Sequence, residues 1–306
     1  MKPTVFIHTN HKQIAGAIVS QHSLKRASKT PDAFEVKILD INEYPYFSEM
    51  DGKSYLRGGK MRPWQFEDLQ SFTPSRFMPP ELMGYQGKAI VIDPDIFAVA
   101  DIMDLFNMDM EGKAVRLIHK PRKDGNGFDR KTSVMLMDCE KLKHWKVEES
   151  FRSMFRGELD YVDWLSMTQE DDSTVGDLDE VWNSLDVLTP ETKMLHTTRR
   201  ETQPWKTGLP VDFSRGADSN LKIRFMALQR KLFGKEVFGK KYKANPDPRQ
   251  ERLFFALLKE CLDNGMMSEE LLRSEMKKNH VRHDAFKVMA RTKPLPPADK
   301  MEEFFN

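Results

Sequence analysis

The chain has 306 residues and nearly balanced charge, with 48 lysines and arginines against 47 aspartates and glutamates. That balance speaks against a dedicated nucleic-acid binder, which carries an overall basic excess. No apolar run approaches the ~20 residues of a membrane-spanning helix.

The charge is unevenly placed. Residues 216–306 hold 19 basic and 13 acidic side chains, a net of +6, and residues 1–215 hold 29 and 34, a net of −5. We expect an acidic body over 1–215 and a basic extension over 216–306, whose charges form a solvated helical face or one that suits an anionic partner or a membrane surface. Cys139 and Cys261 form no metal or redox spacing, so reduced thiols and a cytoplasmic location are expected. The opening "MKPTVFIHTNHK" enters a strand-like run without the apolar core of a signal peptide.

In chain order, "TVFIHTN" (4–10) reads as a strand, and Ile14, Ala17, Ile18 and His22 share the face of a helix. "FEVKILDI" (34–41) reads as a second strand, so the chain begins with a βαβ unit and a parallel sheet. Such sheets bind ligands at the carboxyl ends of their strands, where Thr9 and Asn10 fall at one end and Asp93 and Asp95 at another. Residues 44–66, rich in glycine, proline and aromatics, read as a long surface loop, followed by helical turns up to Pro79 and Pro80.

Ala89 to Ile92 then form a strand that runs into Asp93-Pro94-Asp95. Residues 113–121 and 131–138 read as two more strands, joined by a turn that contains Gly125, Asn126 and Gly127. Residues 139–185 read mostly as helix and loop, and "ETKMLHTT" (191–198) as a last strand. From Asn220 the pattern is helical. Phe225, Leu228, Leu232 and Phe233 share one face, and Asp247 and Ser268 stand at helix starts.

The aspartate pair carries the most chemistry. Pro94 cannot donate to a sheet ladder, so the strand turns there and both carboxylates can face one locus. Two carboxylates that close repel unless a cation lies between them. Carboxylate oxygens favour magnesium, calcium or manganese. A strand-end turn with one capping aspartate would look the same in this stretch alone.

The surroundings add to this. "FTPSRFMPPELMGYQGKAIVIDPDIFAVADIMDLF" (72–106) resembles a segment of nucleotide-sugar glycosyltransferases of the GT-A fold, particularly glycosyltransferase family 8. Arg76, Pro80-Glu81-Leu82, Gly87-Lys88, Asp93-Pro94-Asp95 and Asp101-Ile102 with Leu105 follow that family's order. "KTSVMLMDCEKLKHW" (131–145), "LDEVWNSLD" (178–186) and "KMLHTTRRETQPWKTG" (193–208) resemble three further patches, again in order.

The resemblance implies a Rossmann-like α/β mixed sheet flanked by helices, with a helical C-terminal extension. It also implies transfer of a hexose from a nucleotide-diphosphate sugar, with UDP the expected nucleotide, to an acceptor hydroxyl with retention. Asp93, Asp95 and His196 would bind Mn²⁺ or Mg²⁺. His8, Thr9, Asn10, Arg76, Lys88 and Asp93 would face the donor, with the first three lining the base pocket. Lys206, or Arg199 or Arg200, would stabilise the leaving diphosphate, because glycine is replaced by Arg199 and the family's lysine aligns with Gln203. Glu170, Asp171 and Asp172 would lie by the sugar's anomeric carbon.

Two other classes fit parts of the pattern. An Asp-x-Asp phosphohydrolase or phosphotransferase wants a small residue and threonine after its second aspartate, where this chain has Ile96-Phe97. A non-catalytic nucleotide-binding member of the same fold would tolerate the altered spacing after His196.

Overall fold

The structure is a computed structural model that describes residues 2–121, 128–212 and 240–305. The expected turn at Gly125–Gly127 and the helical face of Phe225, Leu228, Leu232 and Phe233 lie outside the described residues.

By compactness the chain divides into two units, Met1–His196 with Pro296–Asn306, and Thr197–Leu295. The sequence reading puts the boundary at 215/216, where the charge changes. The compact division falls just after His196, and positions 215 and 216 lie outside the described residues. Trp205 stacks on Phe254 and its carbonyl accepts from Arg282 N, which ties residues near 205 to the later helices.

In the first unit, β1 (Thr4–Thr9), α1 (Ile14–Ala27) and β2 (Glu35–Asp40) form the expected βαβ unit. α2 (Pro45–Ser48), β3 (Ser54–Arg57), β4 (Lys60–Pro63) and α3 (Pro79–Leu82) lead to β5 (Lys88–Ile92) and β6 (Ile96–Ala98). α4 (Met103–Phe106), β7 (Val115–Pro121), β8 (Phe128–Asp138), α5 (Val147–Phe155) and α6 (Tyr161–Leu165) follow, then β9 (Val175–Asp177), β10 (Ser184–Leu185) and β11 (Met194–His196). The main sheet has the order β2-β1-β5-β8-β7-β9 and is mixed. β1 is parallel to β2 and β5, and β8 is antiparallel to β5 and β7. This is the mixed α/β sheet flanked by helices that the sequence leads one to expect.

Alternate residues of the central strands feed two cores. Phe6, Val91 and Met135 pack on one face, and Ile7, Ile92 and Val134 on the other. A strand buried on both sides needs such continuous apolar runs.

Three segments differ from the sequence reading. Residues 44–66 are not a surface loop. β3 and β4 pair antiparallel through Gly58 and Gly59, whose positive φ values of 59° and 71° suit a two-residue hairpin, and Tyr55 and Trp64 are buried. The Asp160 carboxylate accepts from both glycine N–H groups, at 3.0 and 2.8 Å. Within 139–185, β9 extends the main sheet beside β7. β6 and β10 complete a small second sheet of order β10-β11-β6.

α1 sits tightly against the Asp93-Pro94-Asp95 turn. A Cβ at Gly16 would lie 2.7 Å from the Pro94 carbonyl oxygen, a distance that needs one backbone to move. Elsewhere in a helix, glycine to alanine gains about 1 kcal/mol. Here the clash outweighs that gain, and Gly16→Ala is expected to cost about 1–2 kcal/mol net. A urea denaturation curve checks it: a midpoint at or above that of the natural protein would contradict the close approach.

The second unit carries three described α-helices. α7 (Pro248–Asp263) starts at Asp247, whose carboxylate accepts from Arg249 N at 3.0 Å. α8 (Glu269–Lys277) starts at Ser268, whose hydroxyl accepts from Leu271 N at 3.0 Å, and α9 (Ala285–Arg291) follows. No described helix is long and apolar enough to cross a membrane.

Candidate metal centre

β5 delivers Asp93 and the turn delivers Asp95. Asp93 N donates to the Ser133 carbonyl at 3.1 Å, which carries the pairing of β5 with β8 one residue past the strand. Ile96 N then donates back to the Asp93 carbonyl at 3.3 Å and closes the turn around Pro94 and Asp95. β6 leaves that turn and pairs antiparallel with β11, with Ile96 opposite His196. The apolar residues after the aspartates are therefore the strand that brings a histidine from a hundred residues away.

His196 Nε2 lies 3.3 Å from Asp95 Oδ1 and 3.9 Å from Asp93 Oδ2. One ligand atom from each of the three residues falls within 4.8 Å of the others. Asn183 sets the direction of the imidazole. Its amide nitrogen donates to Ser133 Oγ at 2.9 Å, so its oxygen faces His196 Nδ1, 2.8 Å away. Nδ1 then carries a hydrogen, and Nε2 is the nitrogen that faces the carboxylates, where it would offer its lone pair once a cation replaced its proton. Two carboxylates and one imidazole form a donor set that fits manganese or magnesium.

Charges around the pair are partly balanced. Asp93 Oδ1 lies 3.1 Å from Arg76 Nη2 and 2.6 Å from His8 Nε2. Burial alone would raise the Asp93 carboxyl, but Arg76, His8 and His196 outweigh it and hold it well below the usual carboxylate range. Burial opposes the charged form of His196, yet Asp95 and Asp93 hold its proton above the ordinary imidazole range. For His8 burial wins over Asp93, and its imidazole is pushed down.

Of the other residues singled out in the sequence, Arg76 joins this locus. It also donates to Thr132 Oγ1, and its Nε finds no acceptor among the described residues. The rings and amides of β1's end face inward. His8 points at Asp93, while the Asn10 amide reaches the carbonyls of Asp68 and Leu69 and the Ser71 hydroxyl. The Thr9 hydroxyl donates to the Asn10 carbonyl, and all three residues are buried under the 67–72 segment.

Lys88 is a correction. It opens β5 and Asp93 follows that strand's end, about 16 Å away at strand rise. Its ammonium donates to the Phe106 and Met108 carbonyls at 2.9 and 2.8 Å, closing the end of α4, so it cannot contact a donor held at Asp93.

Glu170, Asp171 and Asp172 are held elsewhere. Glu170 Oε1 accepts from Trp145 Nε1 at 2.7 Å and lies 2.8 Å from His144 Nε2. Asp171 accepts from Ser173 N at 2.8 Å, and Asp172 pairs with Arg130. Lys206, in the second unit, is 2% exposed and lies 2.9 Å from Asp212 Oδ2.

Sequence reasoning missed the supporting residues Ser133, Asn183 and Thr132. Their signal was present: the "TS" and "WN" pairs stand in two patches quoted above for other reasons.

No family model and no curated protein matches the chain. Among solved structures it is similar to the glycosyltransferase GlyE of Streptococcus pneumoniae TIGR4, at 15% identity and a TM-score of 0.47, covering 87% of this chain and 64% of that one. The chain thus spans less than two thirds of the GlyE structure. It is also similar to the galactosyltransferase LgtC in complex with donor and acceptor sugar analogues, at 14% identity, 76% and 98% coverage and a TM-score of 0.46. A third similarity is to mouse xyloside xylosyltransferase 1, at 14% identity, 65% and 98% coverage and a TM-score of 0.40. At these identities and TM-scores the likeness assigns no residue a role.

Proposed function

We propose that the protein is a metal-dependent glycosyltransferase that moves a sugar from a nucleotide-diphosphate donor, with UDP the first nucleotide to test, to an acceptor hydroxyl. The observation that carries this reading is the convergence of Asp93, Asp95 and His196 from two distant parts of the chain, with Asn183 orienting the histidine.

Asp93, Asp95 and His196 would hold Mn²⁺ or Mg²⁺, which when bound offsets the charge on a departing diphosphate. Arg76 adds a second fixed positive charge beside Asp93. Lys206 is paired with Asp212 as found, and a role for it as leaving-group cation rests on the family resemblance alone. Glu170, Asp171 and Asp172 do not join the cluster, so the proposal gives them no step. Retention of configuration and a hexose as the transferred sugar rest on the family resemblance. A cytoplasmic site of action rests instead on the two unpatterned cysteines, and membrane contact on the net +6 of residues 216–306.

The test is a panel of UDP-, GDP- and other nucleotide sugars incubated with the protein and Mn²⁺, with release of free nucleoside diphosphate as readout. The reading predicts release from one donor class, abolished by EDTA. Release from no donor, or release that EDTA leaves unchanged, would contradict it.

A further inference from the structure

Asp93 has a partner that a cation-site reading does not call for. His8 is wholly buried at the carboxyl end of β1, and the parallel register sets its neighbour Ile7 opposite Ile92, the residue before Asp93. Its ring is fixed on two sides. Nδ1 lies 3.4 Å from Ser75 Oγ and 3.2 Å from the Phe72 carbonyl oxygen, and the ring meets the Phe72 ring edge-on with centroids 4.8 Å apart; in the neutral ring the hydrogen then sits on Nε2. What remains is Nε2, and it lies 2.6 Å from Asp93 Oδ1.

Arg76 Nη2 meets that same oxygen, at 3.1 Å. Oδ1 therefore has two donors, and Oδ2 is the oxygen turned toward His196 Nε2 at 3.9 Å. A carboxylate on a short side chain has one soft torsion that decides which oxygen faces where. Two donors on one oxygen, each held by a different element, fix that torsion before any ligand arrives.

We propose that His8 is a positioning residue for the cation site: through its bond to Oδ1 it presents Asp93 Oδ2 to the locus shared with Asp95 and His196. This rests on reading that triad as a divalent-cation site, and it gives His8 a task other than lining a base pocket. Groups that orient a ligand's carboxylate or imidazole commonly change metal affinity ~10–100-fold when removed.

Two amide variants separate this role from a packing role. Glutamine at position 8 carries its amide nitrogen far enough to reach Asp93, whereas asparagine keeps a polar group near the Phe72 carbonyl but falls short of Asp93. Mn²⁺ binding to the purified full chain is followed by the loss of the free-ion EPR signal, with circular dichroism melts run in parallel. His8→Asn is expected to weaken Mn²⁺ binding ~10–100-fold, and His8→Gln to restore most of it. Equal affinity in His8→Asn and the natural protein would overturn the inference, as would His8→Gln binding no better than His8→Asn. Absence of Mn²⁺ binding in the natural protein would overturn the triad reading and this inference with it. Normal binding there, with His8→Asn unaffected, would sink the His8 role alone.

Discussion

Replacing Asp95 by asparagine is expected to weaken Mn²⁺ binding by about 100-fold or more, because it removes a direct ligand where loss of an orienting neighbour alone costs ~10–100-fold. The change keeps the side chain's shape, so the turn closed by the Ile96–Asp93 backbone bond should survive. Asp95 is also the strongest influence holding the His196 proton on. In the metal-free protein, Asp95→Asn should therefore lower the His196 pKa, which an NMR titration of the imidazole reads without any metal present. Unchanged Mn²⁺ affinity together with an unchanged His196 titration would show that Asp95 does not face the site.

The second large effect lies in the other unit. The Lys206 ammonium is almost fully buried and meets the Asp212 carboxylate at 2.9 Å, and the Tyr242 hydroxyl donates to the same carboxylate. Removing the carboxylate leaves a buried, uncompensated charge, so Asp212→Ala is expected to cost about 3 kcal/mol. Adding Lys206→Met should recover much of that loss, since no charge is then stranded. The pH dependence has a definite sign. Burial raises the Asp212 carboxyl, but Lys206 and Tyr242 outweigh it and hold its pKa below the ordinary value. A depressed carboxylate contributes stability above its unfolded pKa, ~3.9, and loses it as pH falls through the lower folded value. The stability gap between the natural protein and Asp212→Ala should narrow in acid, as urea denaturation at neutral and acid pH would show. A gap that widened in acid would mean that the pair is not the source.

Much of the site was legible because it depends on local chemistry. Proline between two aspartates at a strand end implies a turn and a shared locus, and the turn is present. His196 followed from the flanking "QPW" and the family resemblance, and it meets the aspartates. What no local pattern revealed is how it gets there. β6 is three residues long, too short for an alternation to register, and its partner lies a hundred residues away. The same limit hid the Ser133–Asn183–His196 chain, which exists only once three distant segments meet.

Lys88 shows the opposite failure. Its spacing from Asp93 matched a pattern, but a strand of five residues carries the two to opposite ends of the sheet. Residues 44–66 were misread for a related reason. Their glycines and prolines suggested a loop, although adjacent glycines with positive φ are what a tight hairpin requires. Lys206 was legible as a cation and not as a paired one: Asp212 lies only six residues on, but nothing in the local pattern marks the turn that brings its carboxylate back.

The central claim is that Asp93, Asp95 and His196 bind a divalent cation that in turn holds a nucleoside diphosphate. Isothermal titration of the purified protein with UDP, with and without Mn²⁺, tests it most directly. The account predicts binding that requires Mn²⁺ and is lost in Asp95→Asn. UDP binding that is equally tight without the metal, or absent in both conditions, would contradict it.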